Sequence, residues 1–264
     1  MVRLRVAVLG LGEAGSTLAA GLSPGADVHG FDARIRPELP GVRVASSAAE
    51  AVAGAVVVLA VVPAPDAERA LRSVGAALAP GTLYADLAAS GPGSKRELAK
   101  LTSGYGARFV DVALLSAVSV RGVRTPALAA GEASGELADL LNPLGMDVVA
   151  MGGQPGQAAA QKLLRSVVLK GMAALLVEAL RAARAAGVEQ WLWRNVVEQL
   201  SSADEAFAVR LLEGTRRHAE RRVHEMDAVV ELLADLGQDP LMSSATRDLL
   251  ASVRRDGVPS PPDR

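Results

Sequence analysis

Between Val6 and Asp32 the chain reads VAVLGLGEAGSTLAAGLSPGADVHGFD. It is an apolar run, three glycines spaced G-x-G-x-x-G, a small-residue segment, and a second apolar run closed by an acid. No other stretch constrains the fold as tightly. Gly10, Gly12 and Gly15 follow a β-branched run and open a segment of helical pattern, the context in which this spacing acquires meaning. Gly10 permits a tight turn, Gly12 lets a pyrophosphate approach bare backbone, and Gly15 lets helix and strand pack closely. The new helix then presents unpaired N–H groups and partial positive charge, next to Leu11, Glu13 and Ala14. Asp32 closes the second run, where a carboxylate accepts hydrogen bonds from ribose hydroxyls. The motif therefore predicts a bound dinucleotide, NAD or NADP. Asp32 favours NAD because it repels a 2′-phosphate, while Arg34 and Arg36 are read as solvated loop charge.

The pattern around this motif extends it to a fold class. Residues 3–9, 27–31, 56–62, 82–87, 108–113, 126–130 and 147–151 read as buried strands. Residues 13–22, 47–52 and 67–76 between the early strands read as helices. Alternation of this kind predicts an α/β domain, a Rossmann doubly wound parallel sheet, over residues 1–154. After about Gly156 the grammar changes. Residues 157–186 form one periodic segment, roughly 45 Å long as a helix, ending at Gly187 as a helix should. Residues 189–200, 204–212, 215–236 and 240–253 are also helical in pattern. An all-α domain with a long interdomain helix is expected over 155–255, with a disordered tail at 256–264.

Composition narrows the function classes. Aromatics make up 3% of the 264 residues and the net charge is −1, which gives no general pull toward nucleic acid or an anionic membrane. No cysteine is present, so disulfides, thiol nucleophiles and Cys-ligated metals are excluded. Three scattered histidines without a local H-x-x-x-H pattern argue against a metal site. The N-terminal MVRLRVAVLGLG reads as a first strand rather than a signal peptide. The most apolar later stretch, VVLKGMAALLVEAL, is interrupted by Lys170 and Glu178. A cytoplasmic protein is expected.

Several segments bring polar groups to the carboxyl ends of the predicted strands, where open α/β sheets bind ligands. Val62 and Pro63 lie in VPAPDA, and the next ends read ADLAASGPGSK and FVDVALLS. Asp86, Ser90, Asp111 and Ser116 can each touch ligand there or serve as caps and turns. Farther along, His218, Arg221, Arg222 and Glu225 fall at i, i+3, i+4 and i+7, a polar stripe able to grip a carboxylate or phosphate. Trp191 and Trp193 are expected to pack a core or a dimer interface.

The segments VLGLGEAGSTLAAGL, VVPAPDA, DLAASGP, DVALLSAV and GQAAAQKLLRSV together resemble the β-hydroxyacid dehydrogenases and 6-phosphogluconate dehydrogenase-like oxidoreductases. HAERRVHEM resembles a C-terminal domain of a mostly uncharacterised subgroup. The resemblance implies hydride transfer between a nicotinamide and a carbon bearing oxygen or nitrogen, and a homodimer; a small hydroxy or keto acid is the leading substrate reading. It also places Lys162 at a catalytic lysine, and Ser166 at the asparagine one turn later in K-x-x-x-N. Ser90, Ser116 and Ser166, with the His218–Arg221–Arg222 stripe, are the expected substrate contacts. The family segment D-A-P-V-S-G reads DVALLS here, without its proline and glycine. Imine reductases share the architecture and usually carry Asp or Tyr where Lys162 lies, so the lysine favours alcohol and carbonyl chemistry. C=N reduction, and dinucleotide binding without turnover, are the alternatives. In the apolar surroundings of Leu163, Leu164, Val167 and Val168, desolvation would lower the Lys162 pKa and make it a usable acid–base group. Lys170, two turns on, is the reserve candidate.

Overall fold

The computed structural model describes residues 3–262, so Met1 and Val2 and the last two residues of the expected tail, Asp263 and Arg264, lie outside the described residues. The chain forms two compact units, Met1–Arg165 and Ser166–Arg264. In the first, β1 (Arg5–Leu9), α1 (Glu13–Leu22), β2 (Asp27–Phe31), β3 (Val42–Val44), α2 (Ala48–Val52) and β4 (Val57–Ala60) follow in order. Then come α3 (Ala67–Val74), β5 (Leu83–Asp86), α4 (Pro92–Gly104), β6 (Arg108–Leu114), α5 (Val118–Arg121), β7 (Pro126–Ala130), α6 (Ser134–Leu141) and β8 (Asp147–Gly152).

The strands form one sheet in the order β3-β2-β1-β4-β5-β6-β7-β8. Side chains alternate between its faces, as the strand period dictates. Val6, Val8 and Leu59 meet Leu18 and Leu22 of α1 and Leu137 of α6. Ala7, Val58 and Tyr84 meet Val52 of α2, Leu71 of α3 and Leu98 of α4. The chain thus leaves β1 toward one face and enters β4 from the other, so the boundary between these two strands is the topological switch point. The sheet differs from the expected one in two ways. β3 is a short additional strand, and β7 runs antiparallel to β6 while every other neighbouring pair is parallel. Residues 115–125, which join β6 to β7, hold only α5 and one 3-10 turn. That is too little for the crossover that a parallel return needs.

The long helix α7 (Gln157–Ala185) begins in the first unit, and α8 (Glu189–Ser201), α9 (Glu205–Asp235) and α10 (Leu241–Asp256) follow it in the second. Asp204 caps α9 by accepting the Phe207 amide at 2.7 Å. Two helices were expected over 204–212 and 215–236; one helix forms instead, kinked at His218, which has φ −128° and ψ 24°. Polar side chains enter the helical ladder just before the kink. Thr215 Oγ1 donates to the Leu211 carbonyl at 2.8 Å, and Arg222 Nη1 reaches back to Thr215 Oγ1 at 2.5 Å. Glu178 of α7 caps α10, taking the Met242 and Ser243 amides at 2.7 and 2.9 Å and the Ser243 hydroxyl at 2.7 Å. Beyond α10, Arg216 Nη2 donates to the Val258 carbonyl and Ser260 Oγ at 3.1 and 3.3 Å. Trp191 and Trp193 are 66% and 52% exposed, so neither packs a core within the chain. Among the described residues no helix is long and apolar enough to cross a membrane.

Candidate cofactor and substrate site

At the switch point β1 ends in the glycine turn. Gly10 has φ +91°, and a Cβ there would stand 2.3 Å from the Val61 carbonyl and 3.0 Å from Val62 Cγ1. The end of β4, with Val62 and the exposed Pro63, therefore closes on the turn and excludes any side chain. A Cβ on Gly15 would lie 1.8 Å from the Gly10 carbonyl oxygen, so only glycine lets α1 start this close to β1. Gly12 differs. No atom lies within 4 Å of its Cβ position, it is exposed, and no side chain caps the helix that it opens.

Asp32 joins this turn from the end of β2. Its Oδ2 accepts the Leu11 amide at 2.8 Å, and its Oδ1 accepts those of Arg34 and Ile35 at 2.8 and 3.2 Å. The carboxylate thus fixes the loop at residue 11 while keeping unfilled acceptor capacity on Oδ2. An uncapped helix start opening onto free space, flanked by Glu13 and Ala14 and by a fixed acid, suits the pyrophosphate and ribose of a dinucleotide. These residues fit such a group.

Along the rim, Ser90 follows β5. It is 8% exposed and its hydroxyl has no hydrogen-bond partner among the described residues. It lines a cleft of about 720 Å³ with Ala64, Pro65, Arg72 and Ser94. Ser116, after β6, is exposed. The two aspartates expected beside these serines are instead withdrawn from the rim, both 0% exposed. Between them stands Lys95 of α4, 1% exposed, with Nζ 2.8 Å from Asp86 Oδ2 and 3.3 Å from Asp111 Oδ1. Lys95 also donates to the Asp86 carbonyl at 2.7 Å. Asp111 Oδ2 accepts the amides of Gly156 and Ala159 at 3.0 Å each, at the start of α7. Burial pushes the Asp86 carboxyl above its usual range; the Lys95 ammonium opposes this, and the nearby Asp111 carboxylate adds to it. Sequence reasoning gave Lys95 no part. The one available signal is its register, since Lys95, Leu98 and Thr102 share the buried face of α4.

Lys162 lies on α7 just beyond this anchor and is half-buried rather than sequestered; Lys170 is exposed. Arg165 Nη1 donates to the Leu115 carbonyl at 2.7 Å, which fastens the loop of Ser116 to the turn of α7 that follows Lys162. Ser166 opens the second unit. There the expected polar stripe is already engaged: Arg221 pairs with Glu225, Arg222 bonds Thr215, and exposed His218 sits at the kink.

The switch-point glycine turn, the acid after β2 and the sheet order define an NAD(P)-binding protein of dehydrogenase-like fold. The chain belongs to the family that shares the NAD binding domain of 6-phosphogluconate dehydrogenase, whose model matches residues 5–153. A second model, a domain of unknown function (DUF1932), matches residues 183–253. A conserved hypothetical protein from Sinorhizobium meliloti 1021 is 32% identical, with 96% of this chain and 89% of that one covered and a TM-score of 0.63. A conserved protein of unknown function, described as structurally similar to 3-hydroxyacid dehydrogenases, is 29% identical over 97% of this chain and 100% of its own, with a TM-score of 0.57. An imine reductase from Myxococcus stipitatus in complex with NADP+ shares the fold at 18% identity, covering 97% and 95% of the two chains with a TM-score of 0.81. No curated protein matches the chain.

Proposed function

We propose that the protein is an NAD(P)-dependent oxidoreductase acting on a small hydroxy or keto acid, with NAD preferred. The observation that carries this reading is the uncapped start of α1, open at Gly12 and bordered by Asp32. In it, Gly10, Leu11, Gly12, Glu13, Ala14 and Gly15 would hold the pyrophosphate, Asp32 would accept from the adenosine ribose, and Val62 and Pro63 would border the dinucleotide. The cofactor supplies hydride acceptance and donation at its nicotinamide ring. Lys162 takes the hydroxyl proton in oxidation and returns it to the carbonyl oxygen in reduction. Ser90, with its unpartnered hydroxyl, and Ser116 orient substrate oxygens, together with Ser166. Within the second unit, the stripe of His218, Arg221 and Arg222 offers cationic groups for a carboxylate or phosphate, with Arg221 paired to Glu225. A second copy of the chain is the partner.

Titrating NADH fluorescence against wild type and Gly12→Val tests the cofactor half. The new side chain has room in the fold but occupies the pyrophosphate's place, so binding is expected to be lost without loss of helical signal. Equal affinity would remove the glycine turn from the reading. A panel of hydroxy acids, keto acids and imines at saturating cofactor tests the rest. Lys162→Met is expected to lower turnover by about 10²–10⁴-fold while changing NADH affinity only a few-fold. Turnover of imines alone moves the activity to C=N reduction. Binding without any turnover leaves a dinucleotide-binding protein.

A further inference from the structure

The loops on either side of β1 are joined across its carboxyl end by an ion pair. β2 neighbours β1 on one side and β4 on the other. After β2 the chain turns with the Arg34 amide on Asp32; after β4 comes the 3-10 turn Ala64–Asp66. Arg34 Nη2 stands 3.1 Å from Asp66 Oδ2, and Arg69 Nη2 of α3 stands 2.6 Å from Asp66 Oδ1. Each oxygen of this carboxylate therefore holds one guanidinium. The Asp66 side chain is 19% exposed against 70% for Arg34, and its amide donates to the Pro63 carbonyl at 2.8 Å. The acid is thus the more buried and more heavily bonded partner, and the arginine the more exposed one. Arg36, the other arginine after β2, is turned to the Ser46 carbonyl at 3.2 Å.

The two nicotinamide dinucleotides differ only at the 2′ position of the adenosine ribose. A hydroxyl there donates to a carboxylate such as Asp32, whereas a phosphate is repelled by it and needs an arginine nearby. Arg34, two residues beyond Asp32, is placed for that task, and it is already paired. We propose that Asp66 is a cofactor-selecting residue: by pairing with Arg34 it withholds the guanidinium that a 2′-phosphate requires and biases the protein toward NAD. The inference rests on the reading of Asp32 as the ribose-binding acid. It also sets the size of the effect. An exposed ion pair contributes little net free energy, so releasing Arg34 shifts discrimination several-fold rather than by orders of magnitude.

The test titrates NADH and NADPH separately against wild type, Asp66→Ala, Asp66→Asn, Arg34→Ala and the Asp66→Ala/Arg34→Ala double variant. Thermal melts followed by circular dichroism check that each is folded. The ratio of NADPH to NADH affinity is expected to rise about three- to tenfold in both Asp66 variants. It should return to the wild-type value when Arg34 is also removed, and Arg34→Ala alone should leave it within about twofold. The gain should shrink in about 0.5 M salt, which screens exposed charges. A weaker NADPH affinity in Asp66→Ala overturns the proposal, because Asp66 would then be orienting Arg34 toward the phosphate. An equal change for both dinucleotides overturns it too. If wild type binds neither dinucleotide, the glycine-turn reading itself fails, which is a distinct result.

Discussion

Lys95 shows how much a single buried side chain can decide. Its ammonium serves two carboxylates, so the cluster carries one more negative charge than positive while both acids are ionised. Lys95→Met keeps the bulk of the stem but leaves Asp86 and Asp111 facing each other without a counter-ion. The expected loss is about 3–5 kcal/mol, read by urea denaturation, and the Lys95→Met/Asp86→Asn double variant should recover part of it. A loss below about 1 kcal/mol would mean that the cluster behaves like a surface pair. The same geometry fixes a pH dependence. Because burial holds the Asp86 carboxyl above its usual 3.8, the folded chain keeps a proton there that the unfolded chain has released. Stability from this group is therefore greatest below about pH 3.8 and is lost as pH rises through the elevated folded value. Asp86→Asn should flatten that part of the profile.

At the scale of elements, α10 starts on a carboxylate borrowed from α7. Burial raises the Glu178 pKa, but the hydrogen bonds from Ser243 and Met242 outweigh it and hold the group below its usual 4.5. A lowered acid stabilises the fold above the unfolded value and loses that contribution as pH falls through the folded one. Glu178→Gln is expected to cost about 1–3 kcal/mol at neutral pH. The gap from wild type should close below about pH 4.5. A gap that stays constant down to pH 3 would show that the carboxylate's charge contributes nothing. How far such elements can be read from sequence depends on whether their determinants are local. The glycine turn, α1 and β2 were fully legible, because periodicity, glycine spacing and the closing acid all lie within one βαβ unit. β3 was not, since three residues are too few to show a period, and the reversal of β7 was not, since strand direction leaves no mark on an alternation pattern. The expected break at Glu213 and Gly214 appears instead as a kink at His218, beside the Thr215 and Arg222 side chains that bond across this turn. Lys95 was not legible as a site for a similar reason: beyond its register on α4, its partners Asp86 and Asp111 come from two strands, β5 and β6, outside the helix.

For the molecule as a whole, the long helix α7 carries a run of exposed apolar side chains. Leu164, Val167 and Val168 of α7 are 70%, 71% and 60% exposed, and Trp191 of α8 is 66% exposed. Clustered exposed apolar side chains are the usual mark of an interface. We expect a homodimer built on α7, and light scattering at micromolar concentration should give twice the mass of one chain; a monomer there would leave this surface unexplained. Replacing Val167 and Val168 by Lys should shift the equilibrium to monomer. Asp111 has a bearing on how this protein can be taken apart. Its carboxylate accepts the amides of Gly156 and Ala159, so the first turn of α7 satisfies a charge that sits inside the sheet. The boundary between the compact units falls after Arg165, within a helix and past that turn. A fragment cut where β8 ends would strip those donors from a carboxylate that water does not reach. An isolated nucleotide-binding half therefore has to keep a piece of the helix that looks, from the sheet's end, like the beginning of something else.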